Sequence, residues 1–132
     1  MNASLLLIDD EPTCLGLMSE YFEGRGFKVT TAREMEEAQA LINKFEYSLA
    51  ITDLSLTSLN SDEGLRLLDH IRQRSPRTRI ILLSGRVSPE VQAEAAKRGI
   101  DAVLSKPQPL DYIARLVVNI LETSNGCPTY LA

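Results

Sequence analysis

Four short polar groups in this sequence each follow an apolar run, and their side chains are of the kinds that handle cations and phosphoryl groups. They are Asp9-Asp10-Glu11, Asp53, Ser84-Gly85 and Ser105-Lys106-Pro107. Taken singly, each has an ordinary structural explanation, because Asp commonly forms turns or helix caps and a Lys before Pro is commonly solvated. Among them, Asp9, Asp10, Asp53, Ser84 and Lys106 supply three carboxylates, a hydroxyl and an ammonium group, a combination that folding alone does not require.

Clustered carboxylates need compensating positive charge. Two carboxylates about 4 Å apart repel by about 1 kcal/mol in water and by about 4 kcal/mol at an effective dielectric constant near 20. A Mg2+ ion, which prefers oxygen ligands, would together with the Lys106 ammonium balance Asp9, Asp10 and Asp53. No His or Cys occupies these positions, which argues against zinc.

Such a site is suited to phosphoryl transfer onto one of its own carboxylates. The cation and Lys106 would neutralise phosphoryl oxygens, Ser84 would donate a hydrogen bond, and an Asp would attack in line to form an aspartyl phosphate. Asp53 is the candidate nucleophile because it stands alone at the end of the predicted central strand. The adjacent pair Asp9 and Asp10 is better suited to hold the cation.

The elements that must position these groups follow from the hydropathy pattern. Short apolar runs predict five strands, at residues 5–8, 27–30, 49–52, 80–83 and 102–104. This (βα)5 alternation predicts an α/β fold, a flavodoxin-like, doubly wound, five-stranded parallel sheet with strand order 2-1-3-4-5. In such sheets ligands bind beyond the carboxyl ends of the strands, where all four polar groups fall.

Apolar residues at helical spacing predict five helices between and after the strands. Prolines stand near helix starts and glycines near helix ends: Pro12, Pro89, Pro109, Gly24 and Gly99. The fourth helix, residues 88–98, has few apolar residues besides Val91 and alanines. We expect it to be the most weakly anchored. Residues 1–122 are predicted to form one domain and residues 123–132 a C-terminal tail.

Composition limits the function classes. The chain has 132 residues and a net charge of -4, with 44% hydrophobic and 24% charged residues. These values are typical of a single globular domain and disfavour direct nucleic-acid binding. Cys14 and Cys127 belong to no metal-binding or paired motif, so free thiols in a reducing compartment are expected. Without a signal peptide or a membrane-length apolar run, the protein is expected to be soluble and cytoplasmic.

Four motifs together resemble the response-regulator receiver domain of two-component signalling. They are Ile8-Asp9-Asp10-Glu11-Pro12, Ile51-Thr52-Asp53, Leu82-Leu83-Ser84-Gly85 and Leu104-Ser105-Lys106-Pro107. The resemblance covers nearly the whole chain, with the motifs in the family's order and approximate spacing. It implies a flavodoxin-like fold and a phosphoryl group received from the phosphohistidine of a sensor kinase or phosphotransfer protein.

The resemblance also implies roles for individual residues at the metal site. Asp53 would be the phosphoacceptor, and Asp10 would bind Mg2+ directly. Asp9 would act through a water molecule. The backbone carbonyl of Ser55 would complete the metal site.

Three further residues would act on the phosphoryl group or on the adjacent loop. Ser84 would bond the phosphoryl group and move with it, and Lys106 would pair with a phosphoryl oxygen. Pro107 would shape the following loop, in receivers typically through a cis peptide bond.

The sequence departs from the receiver pattern at three places. The loop at residues 54–63 is longer than usual and contains no Pro; it could cover the site, alter kinase docking or be neutral. Val103 stands where many receivers have a switching aromatic residue, so the signal is expected to rest on Ser84 and on backbone shifts around helix four. Arg86 and Ser55 hold positions that in receivers flank the phosphoryl group, where Arg86 either shields an acyl phosphate or is solvated.

Six arginines lie between residues 65 and 87, against the single acid Asp69. We interpret them as a solvated face of the third helix and the following turn rather than as a docking patch for an acidic partner. His70 is interpreted as a surface residue of that helix rather than as a phosphodonor.

The function predicted from these residues is a stand-alone phosphoacceptor switch that signals to a separate, unknown protein. It is not expected to be an enzyme with an external substrate, to bind nucleic acid or to contact a membrane. A homodimer through helix four, strand five and helix five is a further possibility. The alternatives are a receiver fragment of a hybrid kinase or larger regulator, a metal-dependent phosphohydrolase and a nucleotide-binding module. The last is ranked lowest because this sequence has no glycine-rich phosphate-binding loop.

Overall fold

Five parallel strands form the centre of the protein, for which a computed structural model describes residues 3–53, 62–85, 87–122 and 129–130. The strands are β1 (Ser4–Asp9), β2 (Lys28–Ala32), β3 (Leu49–Asp53), β4 (Arg79–Ser84) and β5 (Ala102–Ser105). They pair in the order β2-β1-β3-β4-β5. The predicted fold class and strand order are therefore confirmed.

Five helices cover the two faces of this sheet. They are α1 (Pro12–Gly24), α2 (Met35–Lys44), α3 (Asp62–Arg74), α4 (Pro89–Lys97) and α5 (Leu110–Glu122). Successive residues of a strand point to opposite faces, so Leu5 and Leu7 join the core with α1 and α5. Leu6 and Ile8 join the core with α2, α3 and α4. Burial on both faces explains why β1 is continuously apolar.

A sixth strand extends the sheet beyond β5. Strand β6 (Thr129–Tyr130) runs parallel to β5, with Thr129 opposite Ala102 and Tyr130 opposite Val103. The five-strand pattern did not include it, and these two residues belong to the segment predicted as a tail. Its physical basis is that the outer edge of β5 offers backbone hydrogen-bonding groups to any extended segment.

The helix boundaries follow the predicted punctuation. Pro12 and Pro89 begin α1 and α4, and the preceding Glu11 and Ser88 accept hydrogen bonds from the first-turn amides of their helices. After α4, Gly99 has a φ of +65°, a conformation that glycine adopts without the steric cost of a Cβ atom.

Helix α4 is weakly buried, as its sequence suggested. Among its described residues, only Ala95 is buried. An ion pair that the sequence did not predict also attaches the end of α4 to α3. The Arg98 guanidinium lies 2.8 Å from Asp69 of α3 and 2.7 Å from Glu94. These polar contacts add to the limited apolar packing of Ala95 and Val91 in attaching α4 to the rest of the fold.

Candidate functional site

Asp9 and Asp53 meet at the carboxyl ends of two paired strands. They are register partners in the parallel pair β1 and β3, and only 2% and 6% of their surfaces are exposed. Each is the last residue of its strand. The main-chain pairing of two apolar strands therefore holds two carboxylates next to each other at the edge of the core.

Lys106 joins this pair from the loop after β5. Its Nζ donates a hydrogen bond to Oδ1 of Asp53 at 2.8 Å, and its backbone N–H donates to the carbonyl of Ser84 at 2.8 Å. Partial burial acts to lower the pKa of Lys106, but the hydrogen bond and attraction to Asp53, with further attraction to Asp9, outweigh it and leave the pKa raised. The ammonium form is therefore favoured beside Asp53.

The loop that carries Lys106 has two further fixed points. The Lys106–Pro107 peptide bond is cis, the isomer that the receiver resemblance implied. The Gln108 side chain donates to the carbonyl of Ser105 at 2.8 Å. Gln108 was missed in the sequence because nothing in its local pattern indicates a bond back across the proline.

Asp9 has a buried carboxylate of which only one oxygen is hydrogen-bonded. Its Oδ1 accepts a hydrogen bond from the backbone N–H of Glu11 at 2.9 Å, but its buried Oδ2 has no hydrogen-bond partner. The pKa of Asp9 is raised from 3.8 to about 6, mainly by burial and also by the charges of Asp53 and Asp10, against the opposing effects of the Glu11 amide and Lys106. A buried carboxylate oxygen without a partner is suited to bind a cation or to accept a hydrogen bond from a cation-bound water molecule.

The start of α1 supplies two neighbours that the sequence did not single out as site residues. The side chain of Glu11 accepts from the backbone N–H of Cys14 at 2.7 Å, and this contact lowers the pKa of Glu11. A hydrogen bond to Glu11, burial and the Asp9 and Asp53 charges raise the pKa of the Cys14 thiol. Cys14 is a free cysteine, as predicted, and its side chain is exposed. Cys127 lies outside the described residues.

Asp9, Asp10 and Asp53 offer the carboxylate oxygens that Mg2+ prefers, although their side chains are not arranged as a complete metal site. Among the described residues, no group of three or more His, Cys, Asp or Glu side chains is placed to hold a metal ion. Asp9 and Asp53 are adjacent, and Asp10 follows, half-buried. Ser55, whose carbonyl was predicted as a ligand, lies outside the described residues together with the rest of residues 54–61.

The remaining predicted residues lie on β4 and β5. Ser84 ends β4, is half-buried and pairs in register with Ser105. Val103 is fully buried in the core that includes Ala95 of α4. Pro107 is exposed, and Arg86 is not among the described residues. The structure thus brings Asp9, Asp53 and Lys106 together.

This arrangement is that of a receiver domain. Two buried aspartates lie at adjacent strand ends of a doubly wound parallel sheet, and one of them pairs with a lysine that follows β5. The chain belongs to the family described as "Response regulator receiver domain", whose sequence model matches residues 5–118. Members of this family are two-component signalling proteins that are phosphorylated on aspartate and bind Mg2+.

Curated relatives include larger regulators. The chain is 32% identical over 123 residues to the nitrogen assimilation regulatory protein NtrX of Azorhizobium caulinodans, covering 93% of this chain and 27% of NtrX. It is 35% identical over 106 residues to the photosynthetic apparatus regulatory protein RegA of Cereibacter sphaeroides, covering 80% of this chain and 56% of RegA. The chain therefore spans about a quarter to a half of the length of these relatives.

Solved structures show the same fold. A Francisella response regulator receiver domain superposes with a TM-score of 0.81 at 29% identity, covering 94% of this chain and all of that one. A Burkholderia pseudomallei response regulator, described with a phosphorylated aspartic acid, a calcium ion and citrate, has a TM-score of 0.79 at 28% identity. The match covers 92% of this chain and 69% of that protein.

Proposed function

We propose that this chain is a phosphoacceptor switch in a two-component phosphorelay, with Asp53 as the acceptor. A phosphohistidine of a sensor kinase or phosphotransfer protein would donate the phosphoryl group. The phosphorus–nitrogen bond of the donor breaks as an oxygen–phosphorus bond to Asp53 forms. The observation that supports this most directly is the nearly buried Asp53 carboxylate with Lys106 Nζ at 2.8 Å.

Lys106 has two roles in this proposal. Its ammonium group holds the ionised carboxylate in place before transfer and lies beside the phosphoryl oxygens afterwards. Its main-chain bond to the Ser84 carbonyl links the ends of β4 and β5, so a shift of Ser84 towards the phosphoryl group moves both strand ends. Arg86, two residues after Ser84 in the sequence, would modulate the lifetime of the phosphoryl group, and Pro107, next to Lys106, would shape the loop.

Mg2+ bound by Asp10, Asp53 and the Ser55 carbonyl, with Asp9 acting through water, would neutralise charge on the phosphoryl oxygens. The orphaned Oδ2 of Asp9 supports a cation or its water shell at this place. No His or Cys ligand competes for it among the residues named.

Signal output would run from Ser84 to α4. Val103 is fully buried under the α4 side of the sheet, and a branched aliphatic side chain has no aromatic ring to swing between two positions. The weak burial of α4 makes this helix the element that backbone shifts would move most easily, and the Arg98–Asp69 contact with α3 would have to adjust when it moves. A dimer through α4, β5 and α5 would read the same movement.

The partners of the switch are proposed to act in trans, in the cytoplasm, with no external substrate. One observation favours the alternative of a receiver that belongs to a larger regulator: NtrX and RegA are both longer than the region that this chain matches. Within the described residues, no helix is long and apolar enough to cross a membrane.

Intact-mass measurement with acetyl phosphate and Mg2+ tests the acceptor. We expect one added phosphoryl group on the wild type and on the control Asp111→Asn, whose carboxylate is exposed on α5. We expect none on Asp53→Asn, and none when EDTA replaces Mg2+. Undiminished labelling of Asp53→Asn would contradict the assignment, and multiple turnover of small phosphate esters would favour a phosphohydrolase instead.

A further inference from the structure

A cavity of about 370 Å³ opens between the ends of α2 and α3. Lys44 and Arg74 are the last residues of these two helices, and β3 and β4 begin a few residues later. The cavity therefore lies at the amino ends of β3 and β4, whereas Asp53 and Ser84 lie at their carboxyl ends. At about 3.3 Å per residue, the five residues of β3 separate the two sites by roughly 15 Å.

The lining of this cavity is predominantly positive. Lys44, Arg74 and Arg77 line it together with a single acid, Glu46, in a chain whose net charge is -4. In the described part of the chain, none of these three cations takes part in an ion pair. The three positive charges therefore remain available to a ligand.

The structure divides the arginine run into residues with different roles. The Arg72 guanidinium donates to the carbonyls of Pro76 and Thr78, and Arg79 pairs with Asp101 at 3.0 Å. Both of these support the fold. Arg74 and Arg77 are exposed and line the cavity, so the interpretation of the run as a solvated face holds for them but not for Arg72 and Arg79.

An exposed aromatic ring lies among these charges. Phe45 is 56% exposed and touches Tyr47 edge-on, with 6.4 Å between the ring centroids. Pro76 lines the cavity beside it, and the nearly buried Ile42 adds apolar surface. Arginine and aromatic side chains around a small apolar patch are typical of protein–protein contact surfaces.

The helix ends indicate which kind of anion fits. α2 and α3 both end at this cavity, and helix C-termini carry about half a negative charge each. Compact phosphate groups bind preferentially at helix N-termini, so a phosphate-rich ligand is disfavoured here.

We propose that this cavity docks an acidic segment of a partner protein. A large apolar side chain of that segment packs against Phe45, and flanking carboxylates pair with Arg74, Arg77 and Lys44. Because the cavity and Asp53 lie at opposite ends of the sheet, a phosphodonor can reach Asp53 while the segment is bound. The docking surface does not depend on the phosphoacceptor assignment.

Four labelled pentapeptides test this proposal by fluorescence anisotropy with the full chain. Each has Asp at positions one, two, four and five and Trp, Phe, Leu or Ala at the centre. We expect the Trp, Phe or Leu peptide to bind at least fivefold more tightly than the Ala peptide. Amide signals of residues 42–46 and 74–77 should shift in ¹H–¹⁵N spectra. Inorganic polyphosphate should bind more weakly than the best peptide.

Two variant pairs locate the binding surface. Arg74→Glu with Arg77→Glu should weaken the best peptide at least tenfold. Arg66→Glu with Arg115→Glu has the same net charge on other exposed positions and should change affinity less than threefold. Phe45→Ala should weaken binding at least fivefold. Leu17→Ala, which removes a side chain of nearly equal exposure at 58%, should change affinity less than twofold.

Several results would overturn the docking proposal. They are the absence of binding by all four peptides, equal binding of the Ala peptide or polyphosphate, and equal weakening by the two double variants. The peptide series on the wild type decides the question even if a variant does not fold. Acetyl phosphate labelling of Asp53, measured on the same samples, reports the phosphoacceptor function separately.

Discussion

The Asp9→Asn substitution would remove a charge that the fold holds at a cost in the absence of a cation. Burial raises the pKa of Asp9 from 3.8 to about 6, which corresponds to about 3 kcal/mol at 1.36 kcal/mol per pH unit. Asn preserves the shape of the side chain, and its Oδ1 can still accept from the Glu11 amide. The variant therefore changes mainly the ionisation of this position.

The sign of the effect follows from the direction of the shift. A carboxyl group whose pKa is higher in the folded than in the unfolded state favours folding when it is protonated. This contribution is fully present below pH 3.8 and is lost as the pH rises through about 6. Between pH 4.5 and pH 7.5, Asp9 should therefore lower the free energy of unfolding of the metal-free wild type by about 2 kcal/mol.

Urea unfolding followed by circular dichroism at pH 4.5, 5.5, 6.5 and 7.5, without divalent cations, measures this slope. The difference in free energy of unfolding between Asp9→Asn and the wild type should become more favourable to the variant by about 2 kcal/mol across the range. Asp111→Asn, which removes an exposed carboxylate, should keep the wild-type slope. A constant difference between Asp9→Asn and the wild type would refute the reasoning.

Three other outcomes are expected. Lys106→Ala should slow acetyl phosphate labelling of Asp53 at least tenfold in an intact-mass time course, because the ammonium 2.8 Å from the acceptor is lost; an unchanged rate would contradict its role. Arg98→Ala should cost less than about 1 kcal/mol in urea unfolding, since the pair with α3 is partly exposed, whereas Ile100→Ala in the buried core should cost about 2–4 kcal/mol. Mg2+ at pH 7.5 should raise the melting temperature of the wild type more than that of Asp9→Asn, and equal increases would place the cation elsewhere.

Periodicity was sufficient to predict the sheet and its helices because burial on both faces leaves a simple local pattern. Residues 5–8 are apolar without interruption, and they lie in β1 between two helical layers. Strand β6 could not be predicted in this way, since two residues carry no period and their pairing depends on the free edge of β5. The ion pair of Arg98 with Asp69 joins residues 29 positions apart, which no local pattern reports.

The gathering of Asp9, Asp53 and Lys106 was predictable because the carboxyl ends of parallel strands share one edge of the sheet. Their individual electrostatics were not. The sequence does not indicate which of Asp9 and Asp10 is buried, whereas in the structure Asp9 is buried, Asp10 is half-buried and one oxygen of Asp9 has no hydrogen-bond partner. The division of the arginine run also required the structure, because the carbonyls that Arg72 meets belong to a turn whose path the sequence does not specify.

The register of β1 and β3 separates the chemistry of this protein from its surface. Asp9 and Asp53 are spaced by the main-chain pairing of two core strands, which involves no side chain of a helix. Substitutions on the outer helical surface can therefore change which partner is recognised without altering the spacing of Asp9 and Asp53. A receiver built in this way is modular: the register of its buried strands fixes the site, and its exposed helix surface determines which partner it recognises.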